Sequence, residues 1–130
     1  MTNVPDSHRD LLEAEVAALG TVGADGRPQL SGVWFLAEGD RIALSLNTSR
    51  QKTKNMQARP VASLLILDLA NPYRYLELRG DVEIVPDDGA FARKVGQKYG
   101  ADLFQHDEPG DRRVMVTLHP LRINAVDMRG

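Results

Sequence analysis

Hydrophobic and polar positions alternate along most of this chain, and the alternation is interrupted by turn residues. "VAALGTVG" reads as a first strand and "QLSGVWFLA" as its return, joined through "ADGRP". Asp25-Gly26 marks a hairpin, because both residue types tolerate positive φ. On the return strand Leu30, Gly32 and Trp34 share one face, and Gln29, Ser31, Val33 and Phe35 share the other. A tight turn at "EGD" (38–40) leads into "RIALSLN", with Ile42, Leu44 and Leu46 on one face. "VASLLILD" is apolar at nearly every position, as expected of a strand covered on both sides. After the loop "LANPY", "YLELRGDVEI" places Leu76, Leu78, Gly80, Val82 and Ile84 against Glu77, Arg79, Asp81 and Glu83. That is a long antiparallel strand. "RRVMVTLHPLRINAVDM" predicts one or two closing strands, interrupted at His119-Pro120.

The pattern turns helical in three places. "DSHRDLLEAE" starts on a good cap, Asp6 or Ser7. "PDDGAFARKVGQKYG" carries Asp87 and Asp88 at its start, an apolar stripe of Phe91, Val95 and Tyr99, and Gly100 to end it. "QKTKNMQA" follows Thr48 or Ser49 as cap and stops near Arg59-Pro60. Six or seven mostly antiparallel strands with short helices predict a mainly β domain, a small closed or partly closed barrel. A length of 130 residues suits one such domain, residues 1–130.

Composition narrows the chemistry. With 42% hydrophobic and 26% charged residues the chain has the make-up of a soluble globular protein. A formal net charge of −2 gives no general attraction to nucleic acid or anionic membrane, and aromatics at 5% offer few stacking platforms for bases. The absence of cysteine removes disulfides, thiolate metal sites and cysteine nucleophiles. The N-terminal stretch is polar and the longest apolar run, "VASLLIL", is too short to span a bilayer, so a cytoplasmic protein is expected. The sequence carries no GxSxG, HExxH, P-loop or GxGxxG motif. His8, His106 and His119 are far apart. His106 in "QHDEPGD" raises metal ligation, but flexible acidic loops have this composition by chance, and no metal is expected.

One segment departs from local preference. "SRQKTKN" (49–55) crowds Arg50, Lys52 and Lys54 at the start of a helix, where the helix dipole favours acids. A solvated helix face is the plain reading. A bound anion is the other: free N–H groups at a helix start attract phosphate, and adjacent cations reinforce them. Arg50 can fork onto a phosphate, Lys52 can act as a point charge, and Thr53 and Asn55 can add neutral hydrogen bonds.

"DGRPQLSGVWF", "SRQKTKNMQARPVASLLI" and "NPYRYLELRGDVEI", in that order, resemble the pyridoxamine 5′-phosphate oxidase-like split β-barrel superfamily. Within it the match is to the deazaflavin branch, oxidoreductases that use coenzyme F420. The resemblance runs from about Val16 to Ile84 and more weakly to "DRRVMVTLHP". It implies a split barrel and a homodimer with the cofactor at the subunit interface. It implies a phosphate held by Arg50, Lys52 and Thr53, with Gln51 and Asn55 alongside. Gln29, Leu30, Ser31 and Val33 match the strand that lines the flat ring in relatives; Ser45 and Asn47 end the next strand and can reach the cofactor. Trp34 is expected in the core, or as an aromatic wall for the ring. Tyr73 and Tyr75 match a region that approaches the partner subunit's site. The activity implied is hydride transfer from reduced deazaflavin to an electron-poor double bond of a small organic substrate. An FMN-dependent oxidoreductase of the same fold, and a non-catalytic flavin- or deazaflavin-binding protein, are the alternatives.

Overall fold

The computed structural model describes residues 3–129. Seven strands form one antiparallel sheet: β1 (Ala17–Val22), β2 (Pro28–Val33), β3 (Leu36–Glu38), β4 (Arg41–Asn47), β5 (Val61–Leu67), β6 (Arg74–Pro86) and β7 (Arg113–Asp127). Their order across the sheet is β2-β1-β5-β6-β7-β4-β3. The sheet curls around a single large apolar core, as in a split barrel. Helix α1 (Gln51–Ala58) links β4 to β5, and α2 (Ala90–Tyr99) follows β6. Asp6–Glu13 and Leu103–His106 are 3-10 helices.

The period-two pattern builds this core. Leu19, Ile42, Leu44, Leu64, Ile66, Leu76, Leu78, Val116 and Leu118 all point inward and are essentially fully buried. Truncating one of the larger of these to alanine would cost roughly 2–5 kcal/mol, the lost transfer energy plus the cavity left behind. β5 covers only one face as fully as its sequence suggests: Ala62, Leu64 and Ile66 are buried, while Val61 and Leu67 on the opposite face are exposed. The covered-on-both-sides reading of "VASLLILD" therefore holds for one side within the single chain.

Two local features differ from the sequence reading, and a third settles an alternative it left open. The expected strand "QLSGVWFLA" is divided, since β2 leaves β1 after Val33 and the chain pairs again, with β4, from Leu36. Val33 and Phe35 still face the core while Trp34 is exposed, so the alternation runs through the break. Of the one or two closing strands expected in "RRVMVTLHPLRINAVDM", the structure forms a single one, β7. Pro120 is absorbed in a bulge: Gly80 pairs with Pro120 and Arg79 with Arg122, leaving Leu121 as the extra residue. A Cβ on Gly80 would lie 2.1 Å from the His119 carbonyl oxygen, so only glycine fits that crossing. Finally, the N-cap position of α1 is Arg50, not Thr48 or Ser49.

Candidate functional site

The site begins where β4 ends. Asn47 turns its carbonyl Oδ1 onto the Ser49 backbone N–H (3.2 Å) and the Ser49 hydroxyl (2.7 Å). This Asx-type turn reverses the chain and commits the serine that could have capped the helix. Arg50 takes the N-cap position with extended backbone (φ −74°, ψ 140°), and no side chain accepts from the first turn of α1. No acid lies in that turn either. The helix therefore presents open N–H groups beside Arg50 and Lys52.

Both cations line a cavity of about 470 Å³. β2 and the residue after it supply Gly32, Val33 and Trp34; β4 supplies Ser45, Leu46 and Asn47. The opposite wall is the segment 101–106, through Ala101, Asp102, Leu103, Gln105 and His106, with Arg113 of β7 at the base. Lys52 is half-buried and its ammonium lies 3.4 Å from the Ser31 hydroxyl. Burial, and after it the neighbouring Arg50 charge, hold its pKa below the usual lysine range. Among the described residues no carboxylate forms an ion pair with Lys52 or Arg50. A cation kept partly dry and without a counter-ion is poised for a ligand anion.

Arg113 is different. Its guanidinium grips Asp107 with both carboxylate oxygens engaged (2.9 and 2.7 Å), and the pair is mostly buried. It also donates to the Leu103 carbonyl and approaches Ser45. Asn47 donates to Asp107 from the other side (3.1 Å). Burial raises the Asp107 pKa, but the hydrogen bonds from Arg113 and Asn47 outweigh it and leave the carboxyl below its ordinary range. This cluster ties the 101–111 segment to the end of β4, so the wall facing α1 is a fixed part of the fold.

The predicted site residues thus separate into groups. Val33, Ser45, Asn47, Arg50 and Lys52 share the cavity, and Ser31 touches it through Lys52. Gln51, Asn55 and Gln29 form a polar layer joining helix to sheet. The Gln51 amide donates to Asn55 (2.9 Å), and Asn55 donates to Thr21 (3.1 Å) and Gln29 (3.2 Å). Thr53 is fully buried and its hydroxyl has no partner. Leu30 is exposed on the outer face of the sheet. Tyr73 and Tyr75 lie at the β5–β6 connection, outside the cavity wall, with Arg129 stacked over Tyr73. Trp34, weighed as core or as an aromatic wall, and His106, weighed only as a metal ligand, line the cavity, and Arg113 with its partner Asp107 joins them without having been singled out from the sequence. Arg113 sits opposite Asn47 in the β4–β7 register, a relation that no local motif records.

A curled seven-stranded antiparallel sheet in this order, with short helices, defines a split-barrel protein. The chain matches the pyridoxamine 5′-phosphate oxidase family over residues 4–127, and it belongs to that family. A solved structure described as an F420 reductase is 39% identical, with a TM-score of 0.81, over 93% of this chain and 98% of that one. A conserved hypothetical protein of Mycobacterium tuberculosis is 25% identical, with a TM-score of 0.77, over 97% and 86% of the two chains. The fold is shared by a protein of Listeria innocua described as a putative pyridoxamine 5′-phosphate oxidase, 22% identical with a TM-score of 0.74 over 94% and 97%. These similarities suggest an oxidoreductase with a flavin-type cofactor. No helix among the described residues is long and apolar enough to cross a membrane.

Proposed function

We propose that this protein is an F420-dependent reductase whose cofactor lies in the cavity between β2, β4 and the 101–106 segment. The observation that carries the reading is the uncapped start of α1, with Arg50 and Lys52 lining the cavity and, among the described residues, no acid in the first turn and no carboxylate in ion-pair contact with either cation. That donor set suits a phosphate: open N–H groups, one guanidinium able to bind two oxygens, and one desolvated ammonium. The likeness to a protein described as an F420 reductase supports the choice of deazaflavin.

Bound and reduced, the deazaflavin supplies a hydride for an electron-poor double bond in a small organic substrate. The residues of the chain bind, orient and shield. Arg50 and Lys52 hold the phosphate end. Val33, Leu46 and Leu103 offer apolar surface that excludes water, and the Asp107–Arg113 pair keeps the far wall in place. The reading also takes the protein as cytoplasmic, which the absence of cysteine suits.

The active unit in this reading is a homodimer. Val16, Leu30, Val61 and Leu67 are exposed on the β2–β1–β5 part of the sheet, and a second copy would cover them. Light scattering on the purified protein is expected to give twice the chain mass; a monomer at micromolar concentration would count against this part.

The central test is titration with coenzyme F420 and, separately, with FMN, followed by ligand fluorescence. F420 is expected to bind more tightly than FMN, and Lys52→Ala to lower F420 affinity at least tenfold. Preference for FMN would move the protein to a flavin-dependent oxidoreductase with the same phosphate site. F420 binding without reoxidation of the reduced form by any acceptor would make it a carrier. Binding of neither would leave the cations as a solvated helix face.

A further inference from the structure

The cavity has two unlike ends. The α1 end is cationic. The other end is aromatic, and its construction is specific. Trp34 stacks on Tyr99, ring centres 4.3 Å apart and planes within 4°. Tyr99 cannot drift: its hydroxyl accepts from the Phe35 N–H (3.0 Å) and lies 2.7 Å from the Glu15 carbonyl and 3.0 Å from that of Phe35. Lys98 locks the same corner. Its ammonium donates to the Ala14 and Phe35 carbonyls and sits over the Phe35 and Tyr99 rings. One face of the indole is thus pinned, yet Trp34 remains 43% exposed and lines the cavity. Core packing does not need a half-open tryptophan. Trp34, just past the end of β2, lies three residues beyond Ser31, the residue Lys52 touches, on the order of 10 Å for an extended chain at ~3.3 Å per residue. It shares the cavity lining with Ala101 and Leu103, which follow α2 in the chain.

We propose that Trp34, held by Tyr99, is the platform on which the acceptor substrate stacks, and that it selects flat, electron-poor conjugated ring compounds over non-planar ones. Indole has the most electron-rich face of the aromatic side chains, so it complements an electron-poor ring laid parallel to it. A rigid platform costs little ordering on binding. The assignment rests on the reductase reading of the same cavity and deepens it by naming the shape of the acceptor and the residue that reads it.

Trp34 is the single tryptophan of the chain, so its emission reports on this position alone. The experiment titrates the F420-loaded and the cofactor-free protein with 1,4-naphthoquinone, correcting for absorption, and follows tryptophan emission. It then compares KM for 1,4-naphthoquinone and for 2-cyclohexen-1-one in wild type, Trp34→Leu and Trp34→Phe. Saturable quenching is expected in both forms of the protein. In Trp34→Leu, KM for the quinone should rise about tenfold more than KM for the enone, with Trp34→Phe in between. Absence of saturable quenching, or equal KM changes for both acceptors, would overturn the proposal. So would loss of F420 affinity in Trp34→Leu, because the indole would then face the cofactor ring. If wild type binds no F420, the reductase reading fails, while quenching in the cofactor-free protein still decides the stacking platform. That measurement needs no variant to fold.

Discussion

The two α-helices of this chain start in opposite ways. At α2, Asp87 accepts from the backbone N–H groups of Gly89, Phe91 and Ala92 (2.9–3.1 Å), and Asp88 accepts from that of Ala90. Nearly the whole first turn is satisfied by acids, as the helix dipole favours. At α1 no side chain caps the turn, and the flanking charges are Arg50 and Lys52. One chain under one set of physical constraints thus closes one helix start and leaves the other open. The difference lies in the flanking residues: acids that precede α2 close its first turn, whereas the cations at the start of α1 line the cavity shared with Ser45 and Asn47. On the proposed reading, local stability is given up at α1 because a bound anion would complete that helix start.

The sharpest way to break the contrast is to make α1 resemble α2. Arg50→Asp places a capping acid where the ligand phosphate is proposed to sit. F420 affinity is expected to fall about a hundredfold, roughly 2.8 kcal/mol, measured by fluorescence titration. The ligand-free protein should become more stable by about 0.5–1 kcal/mol, the worth of a good N-cap. Affinity unchanged by this substitution would separate the helix start from the ligand.

The reverse substitution, Asp87→Ala, removes three accepted hydrogen bonds from α2. It is expected to lower unfolding free energy by about 1–2 kcal/mol, read by denaturant melts, with F420 affinity within twofold of wild type. A larger loss of affinity than of stability would mean that α2 shapes the ligand site as well as its wall.

The smallest effect is in pH. Because the Lys52 pKa is lowered from 10.5 by burial and by Arg50, the ammonium discharges at a lower pH than an exposed lysine would. In the ligand-free protein the charged form is the costly one: the cost is full below the lowered pKa, shrinks as pH rises from there, and is gone only above 10.5, where the unfolded chain has lost the proton too. For a bound anion the sign reverses: affinity should fall as pH rises through the same range. Lys52→Arg, which stays charged, should flatten this alkaline limb. An identical pH profile in the two proteins would remove Lys52 from the anion site.

Much of the fold could be read from the period-two pattern, since inward Leu, Ile and Val positions recur on every long strand. The break between β2 and β3 could not. Val33, Trp34 and Phe35 keep alternating inside and outside while the hydrogen-bonding partner changes from β1 to β4, and alternation records only the side. The cationic start of α1 was legible because it runs against the helix dipole. The mutual hydrogen bonding of Gln51, Asn55 and Gln29 was not, since an amide looks the same in sequence whether it meets a ligand or a neighbouring strand. The Asp107–Arg113 cluster depends on register between β4 and β7, which forms only on folding.

That same register ties assembly to the last of the seven strands. β7 lies between β6 and β4, so it alone joins β2-β1-β5-β6 to β4-β3 across the sheet. It leaves the ribosome after the other six strands. Until then, β4 and β6 each expose an unpaired edge, and the cavity lacks Arg113. Such long-range closure is slow and leaves sticky edges exposed during synthesis. The nascent chain should therefore depend on chaperones more than its small size suggests, and substitutions that weaken β7 should lower soluble yield before they change the chemistry of the finished protein.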